Sequence, residues 1–159
     1  MTVTSTGNIT TTDVNAGGIY ALQNAGAGAV TVTSTGDITT GSVGITALQN
    51  GGVGDVTVTS EGGITTTGGG ADGIFANQNF GAGDVTVTSE GNITTAGADA
   101  EGIVALQNGG AGDVTVSSTG TITTTGFSAE GIAAQQDGGD GAVTVTCLLY
   151  TSPSPRDRG

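Results

Sequence analysis

The residues best suited to chemistry in this chain are carboxylates, and they recur at fixed spacing. Asp55, Asp84 and Asp113 fall 29 residues apart. Asp72, Glu101 and Glu130 make a second series at the same spacing, and Glu61 and Glu90 a further pair. All the acids but Asp157 lie in residues 1–146, which contain no Lys, Arg, His or Cys. The commonest bases and nucleophiles are therefore missing from this stretch. Glycoside cleavage needs two carboxylates in different environments across a cleft. Evenly repeated acids do not meet that need, and without a catalytic constellation we expect no enzyme.

Metal binding is the other use of such acids. Gly51-Gly52-Val53-Gly54-Asp55 resembles the glycine-aspartate nonapeptide of calcium-binding β-rolls, although the aspartate falls one place early and the period is 29, not nine. Like charges stacked about 4.8 Å apart repel by roughly 0.9 kcal/mol per pair in a water-like dielectric. Loose, low-affinity Ca²⁺ at the Asp55/Asp84/Asp113 column would relieve that repulsion. The plainer alternative is that these acids keep exposed turns soluble. No other cofactor is expected.

Hydroxyls are the third chemical feature. Thr31/Thr33, Thr57/Thr59, Thr86/Thr88, Thr115/Ser117 and Thr144/Thr146 recur as Thr-x-Thr or its serine variant. On a strand such pairs share one face. Regular threonine ranks on a β-solenoid resemble the ice-binding faces of antifreeze proteins. Their plain reading is β-propensity on a solvent face.

The elements that position these groups follow from the repeat itself. Val-Thr-Val-Thr-Ser begins at Val30, Val56 and Val85, returns as Val114-Thr-Val-Ser-Ser, and restarts at Val143, in steps of 26, 29, 29 and 29 residues. Such a period marks a repeat architecture. Each period carries three apolar groups: Val-x-Val, a lone Ile before threonines (Ile9, Ile38, Ile64, Ile93, Ile122), and Gly-Ile-x-Ala-x-Gln at Ile19, Ile45, Ile74, Ile103 and Ile132. β-Branched residues with period-two alternation read as short strands, and the glycine runs between them as turns. Nothing sustains an apolar stripe at helical spacing, and glycine is too frequent for long helices. The sequence predicts an all-β parallel β-solenoid of about five coils of 26–29 residues, with three short strands per coil.

The variation assigns the faces. Ile and Ala of the third strand never change, whereas Tyr20, Thr46, Phe75, Val104 and Ala133 occupy one column between them. The constant column is expected inward and the variable one outward. In the first strand the valines point in and the threonines out. The short step arises between strands two and three, where Ile38 to Ile45 spans seven residues and Ile9 to Ile19 ten. Losing three residues there shortens a turn and leaves both strands in register. Gln23, Gln49, Gln78, Gln107 and Gln136, with Asn24, Asn50, Asn79, Asn108 and Asp137 beside them, are expected to form amide ladders along the axis.

The pattern changes abruptly at Cys147. Residues 147–159 hold the only Cys, both Pro and both Arg of the chain. This tail resembles the translated read-through of a transposase-type sequencing adapter, and we treat it as a non-native or disordered segment outside the fold. Met1 occupies the valine column. Residues 1–146 are therefore expected to be a slice of a longer array, with neither end showing a capping unit.

The net charge of −12 weighs against nucleic acid, whose phosphates need cations to neutralise them, and against anionic membrane surfaces. No run of about 18 apolar residues exists to insert in a membrane. Val-Thr-Val-Thr-Ser-x-Gly-x-Ile-Thr-Thr followed by Gly-Ile-x-Ala-x-Gln-Asn resembles the repeats in passenger regions of bacterial autotransporters and related large adhesins. The resemblance covers residues 1–146. It implies a right-handed β-helix, exported across a Gram-negative envelope to the cell surface or secreted, serving as a stalk or adhesive fibre. The chain departs from that family's whole plan in showing no signal peptide, translocator barrel or protease-type domain. The implied partners are neighbouring repeats of the same chain and an unidentified host or surface ligand. Tyr20, Leu22, Leu48, Phe75, Val104 and Leu106 would make the apolar stripe facing that ligand.

Overall fold

The computed structural model describes residues 1–148. The chain is a parallel β-solenoid without helix among these residues. Coil one carries β1 (Thr2–Ser5), β2 (Ile9–Thr10) and β3 (Ile19–Asn24). Coil two carries β4 (Val30–Ser34), β5 (Ile38–Thr40) and β6 (Ile45–Asn50). Coil three has β7 (Val56–Ser60), β8 (Ile64–Thr66) and β9 (Ile74–Asn79). Coil four has β10 (Val85–Ser89), β11 (Ile93–Thr95) and β12 (Ile103–Asn108). Coil five has β13 (Val114–Ser118), β14 (Ile122–Thr124) and β15 (Ile132–Asp137), and β16 (Val143–Cys147) opens a sixth turn.

Like strands stack on like. The first strands form a sheet in the order β1-β4-β7-β10-β13-β16, and the second and third strands form one sheet each, again in coil order. Every pairing is parallel and joins identical columns, as Val30 to Val56 and Ile74 to Ile103 show. The 26-residue coil obeys the same register: Ile9 pairs with Ile38, and Ile19 with Ile45. The deletion shortens only the turn between them. Cys147 extends the expected fold by one residue, pairing with Ser118 in the serine column. A thiol is small and apolar enough to stand where a serine stood. The remainder of the tail expectation, residues 149–159, lies outside the described residues.

The core runs along the axis between the three sheets. Val30, Val32, Ile45, Ala47, Ile74, Ala76, Ile103 and Ala105 have no exposed surface. These are the invariant inward columns. The threonines of the first strands are half-buried or exposed on the outer face.

Close stacking leaves no room for side chains at certain corners. A Cβ at Gly44 would lie 2.5 Å from the Gly73 carbonyl and 2.6 Å from Ile64 Cγ2 of the next coil. Gly73 stands in the same relation to Gly102 and Ile93. Glycine recurs here because the next coil occupies the space that any other residue would fill.

Candidate functional site

The polar columns build three corners, and each has its own device. At the first corner a buried serine closes the turn: Ser34, Ser60, Ser89 and Ser118 donate Oγ to the carbonyls of Gly36, Gly62, Gly91 and Gly120 at 3.3–3.5 Å. At the second corner a threonine reaches further. Thr11 and Thr95 donate to the Ala16 and Ala100 carbonyls, each at 2.7 Å, and Thr66 bonds Ala71 in the same way. In the shortened coil Thr40 instead reaches Ser42 at 2.5 Å. The deletion thus preserves the bond by bringing its acceptor nearer.

The third corner overturns one expectation. The glutamines do not form an amide ladder with one another. Gln78 Nε2 donates to the Gly52 and Gly54 carbonyls of the preceding coil, both at 2.9 Å. Gln49 and Gln107 repeat the arrangement on Gly26/Gly28 and Gly81/Gly83. Buried carbonyls in a glycine turn have no strand partner, and satisfying them takes precedence over a side-chain ladder. Both amide hydrogens are then used, and Oε1 of Gln49, Gln78 and Gln107 has no protein partner. The asparagine column does form the ladder: Asn50 donates to Asn24 at 3.0 Å, Asn79 to Asn50 at 2.8 Å and Asn108 to Asn79 at 3.0 Å.

The acids have a role that their spacing did not reveal. Asp55 Oδ1 accepts the Asp84 amide at 3.0 Å, Asp84 Oδ1 the Asp113 amide at 2.8 Å, and Asp113 Oδ1 the Ala142 amide at 2.7 Å. Each carboxylate caps the corner N–H one coil further on. Asn8, Asp37 and Asn92 do the same at the first corner for Asp37, Gly63 and Thr121. The Asp55/Asp84/Asp113 column therefore stacks as expected, with one oxygen of each carboxylate already committed. Among the described residues, no three of His, Cys, Asp and Glu gather where they could hold a metal ion.

Asp72 is the exceptional acid. It is only 7% exposed, and its Oδ1 accepts the Glu101 amide at 3.0 Å. Burial pushes its carboxyl up to about 7, and the Glu101 carboxylate beside it adds to the rise. The pair forms a proton-holding position at the second corner. The recurrence of Asp72, Glu101 and Glu130 was legible in the sequence, but the burial of only its first member was not.

The expected apolar stripe is uneven. Tyr20 is 65% exposed, whereas Leu22, Leu48, Phe75 and Leu106 are half-buried. Val104 departs from the expectation and is buried, in register with Phe75 of the preceding coil. Among the described residues the most exposed aromatics, Phe80 and Phe127, lie in turns instead. Phe80 holds a left-handed φ of 60° in a column that otherwise has Ala25, Gly51, Gly109 and Gly138. A second threonine rank was also unforeseen. Thr10, Thr39, Thr65, Thr94 and Thr123 stack in register on the outside of the second sheet, all exposed.

No protein-family model, no curated protein and no solved structure matches this chain.

Proposed function

We propose that residues 1–146 form a structural stalk of the autotransporter-passenger or large-adhesin kind, exported and displayed at a Gram-negative cell surface to mediate adhesion. The observation that carries this reading is the unbroken register of three parallel sheets. Each coil of 26–29 residues adds about 4.8 Å along the axis, so length grows simply by repetition. Corners stapled by side chains stiffen the rod without disulfides. Recognition falls to the variable outer columns, with Tyr20 the most exposed member of the third-strand stripe. The role is mechanical and interfacial rather than catalytic.

Display tests it. Residues 1–146 are placed between an export signal and a translocator barrel in a Gram-negative host. The expected result is a protease-accessible segment on intact cells and increased attachment to coated surfaces. A segment that reaches the surface yet leaves attachment unchanged would refute the adhesive role.

The threonine ranks favour a second reading, ice binding. Two sheets carry outward hydroxyls in register, and sheet one extends them over six strands. This reading requires thermal hysteresis that falls in Thr57→Tyr and Thr86→Tyr variants. A solution without hysteresis would exclude it.

A further inference from the structure

One column at the first corner carries an amide nitrogen that the fold does not use. Asn8, Asp37, Gly63, Asn92 and Thr121 occupy it, each directly before the isoleucine that opens a second strand. Asn8 Oδ1 accepts the Asp37 amide at 3.0 Å, and Asn92 Oδ1 accepts the Thr121 amide at 2.9 Å. Asp37 makes the same bond to Gly63 at 2.8 Å with a carboxylate. An oxygen is therefore all that this corner requires of its capping residue. Among the described residues, Nδ2 of Asn8 and of Asn92 meets no acceptor. Asn50, Asn79 and Asn108, by contrast, commit that nitrogen to the ladder of the third sheet.

The surroundings of that nitrogen are open. Asn8 and Asn92 are exposed, and so are Thr10 and Thr94, two places further on. Residues two apart on an extended segment point to the same side, so each amide shares the outer face with a hydroxyl. One place before the Ile64–Ile93 pair, Gly63 of the preceding coil stands beside Asn92 and has no side chain to crowd it. Asn-x-Thr on an accessible surface is the acceptor pattern for an N-linked sugar. Of the eight asparagines in the chain, only Asn8 and Asn92 have a serine or threonine two places on. Ile-Thr follows this column in every coil, so the asparagine itself distinguishes coils one and four.

We propose that Asn8 and Asn92 are attachment sites for N-linked sugar on the outer edge of the second sheet. The donor is a glycosyl diphosphate, its diphosphate joined to a nucleoside or to a lipid, and a separate transferase brings it to the chain. A bond forms between Nδ2 and the sugar's C1 as the bond from C1 to the diphosphate oxygen breaks. The diphosphate leaves with the electron pair, and one amide proton passes to a base of the transferase. Oδ1 is untouched, so Asn92 still accepts the Thr121 amide and Asn8 the Asp37 amide. The sugar projects away from the core, and the coil keeps every hydrogen bond that holds this corner.

The test uses the full chain in a Gram-negative host, in two arms. One arm supplies a soluble transferase that acts on Asn-x-Ser/Thr with a nucleoside-diphosphate hexose. The other exports the chain past a membrane transferase that uses a lipid-linked oligosaccharide. Each arm includes a control acceptor that its transferase modifies. Intact mass counts the additions, their size identifies the donor, and peptide mapping places them. The expected result is two additions, at Asn8 and Asn92 and at no other asparagine, with the Tm of the modified chain undiminished. Asn92→Asp should remove one addition and leave the Tm unchanged, because its carboxylate caps Thr121 as Asp37 caps Gly63. Thr94→Val should remove the same addition while Asn92 stays in place, and mass reads both variants whether or not they fold. An asparagine left bare in both arms overturns the proposal for that residue. Additions that survive Asn92→Asp, or a modified chain whose Tm falls, overturn it as a whole.

Discussion

Coil four and the C-terminal end of the described solenoid have nearly the same strands and very different interiors. Val85 and Val87 of β10 are wholly buried, while Val143 and Val145, two steps along the same column, are 45% and 46% exposed. Ile103 is sealed and Ile132 is half open. The residue types are the same, so the difference comes from the neighbours. A coil of this solenoid has no core of its own; it owns half of two interfaces. Stability should therefore follow nearest-neighbour terms, and the same substitution should have different effects at interior and terminal positions.

The largest contrast should be at the glycines before the third strands. Gly102→Val forces side-chain carbon into the Gly131 carbonyl and Ile122, and should cost about 3 kcal/mol or more. Gly131→Val should change stability by no more than about 0.5 kcal/mol, because nothing crowds it. Urea unfolding of the two variants makes the comparison, and equal losses would break it. Next come the isoleucines. Ile64→Ala removes a side chain that is 1% exposed and should cost about 2–5 kcal/mol, whereas Ile122→Ala at the open end should cost no more than about half of that.

The acid at the second corner sharpens the comparison with its exposed counterparts. The folded chain holds a proton on Asp72 up to about pH 7, whereas an unfolded chain loses it near 3.8. Between these values the native state binds more protons, so this site stabilises the fold as pH falls from 7 towards 4 and destabilises it above 7. Asp72→Asn keeps an oxygen for the Glu101 amide and cannot ionise. It should raise stability at pH 8 and converge with the wild type near pH 4. Thermal melts of both proteins across pH read this directly, and parallel profiles would contradict it. The smallest effect is expected at Phe80. Its left-handed backbone is the kind glycine adopts freely, so Phe80→Gly should stabilise by about 0.5–1 kcal/mol, visible as a rise in Tm.

Much of this architecture could be read from the columns alone. Strand order, register, the inward valines and isoleucines and the harmless deletion all follow from which positions repeat and which vary. The partners of the polar columns did not. A recurring glutamine indicates that the position matters, but not whether its amide meets its own copy or a glycine carbonyl in the turn below. The aspartates posed the same ambiguity, and their capping of Asp84, Asp113 and Ala142 amides became visible only with the corner backbone in place. Val104 failed for a different reason. Alternation assigns a face, but burial on an outer face also depends on what the neighbouring coils place beside it, and Phe75 stands next to Val104 in register. Cys147 shows the limit of composition, since a residue that signals a break in sequence still completes β16.

The central claim is that these coils are part of a longer displayed stalk. The direct test is to read the native DNA continuously across both ends of the gene. The account predicts further 29-residue coils in frame, an export signal upstream and a barrel-forming domain downstream. A genuine start codon at Met1 and a genuine stop after Gly159 would contradict it.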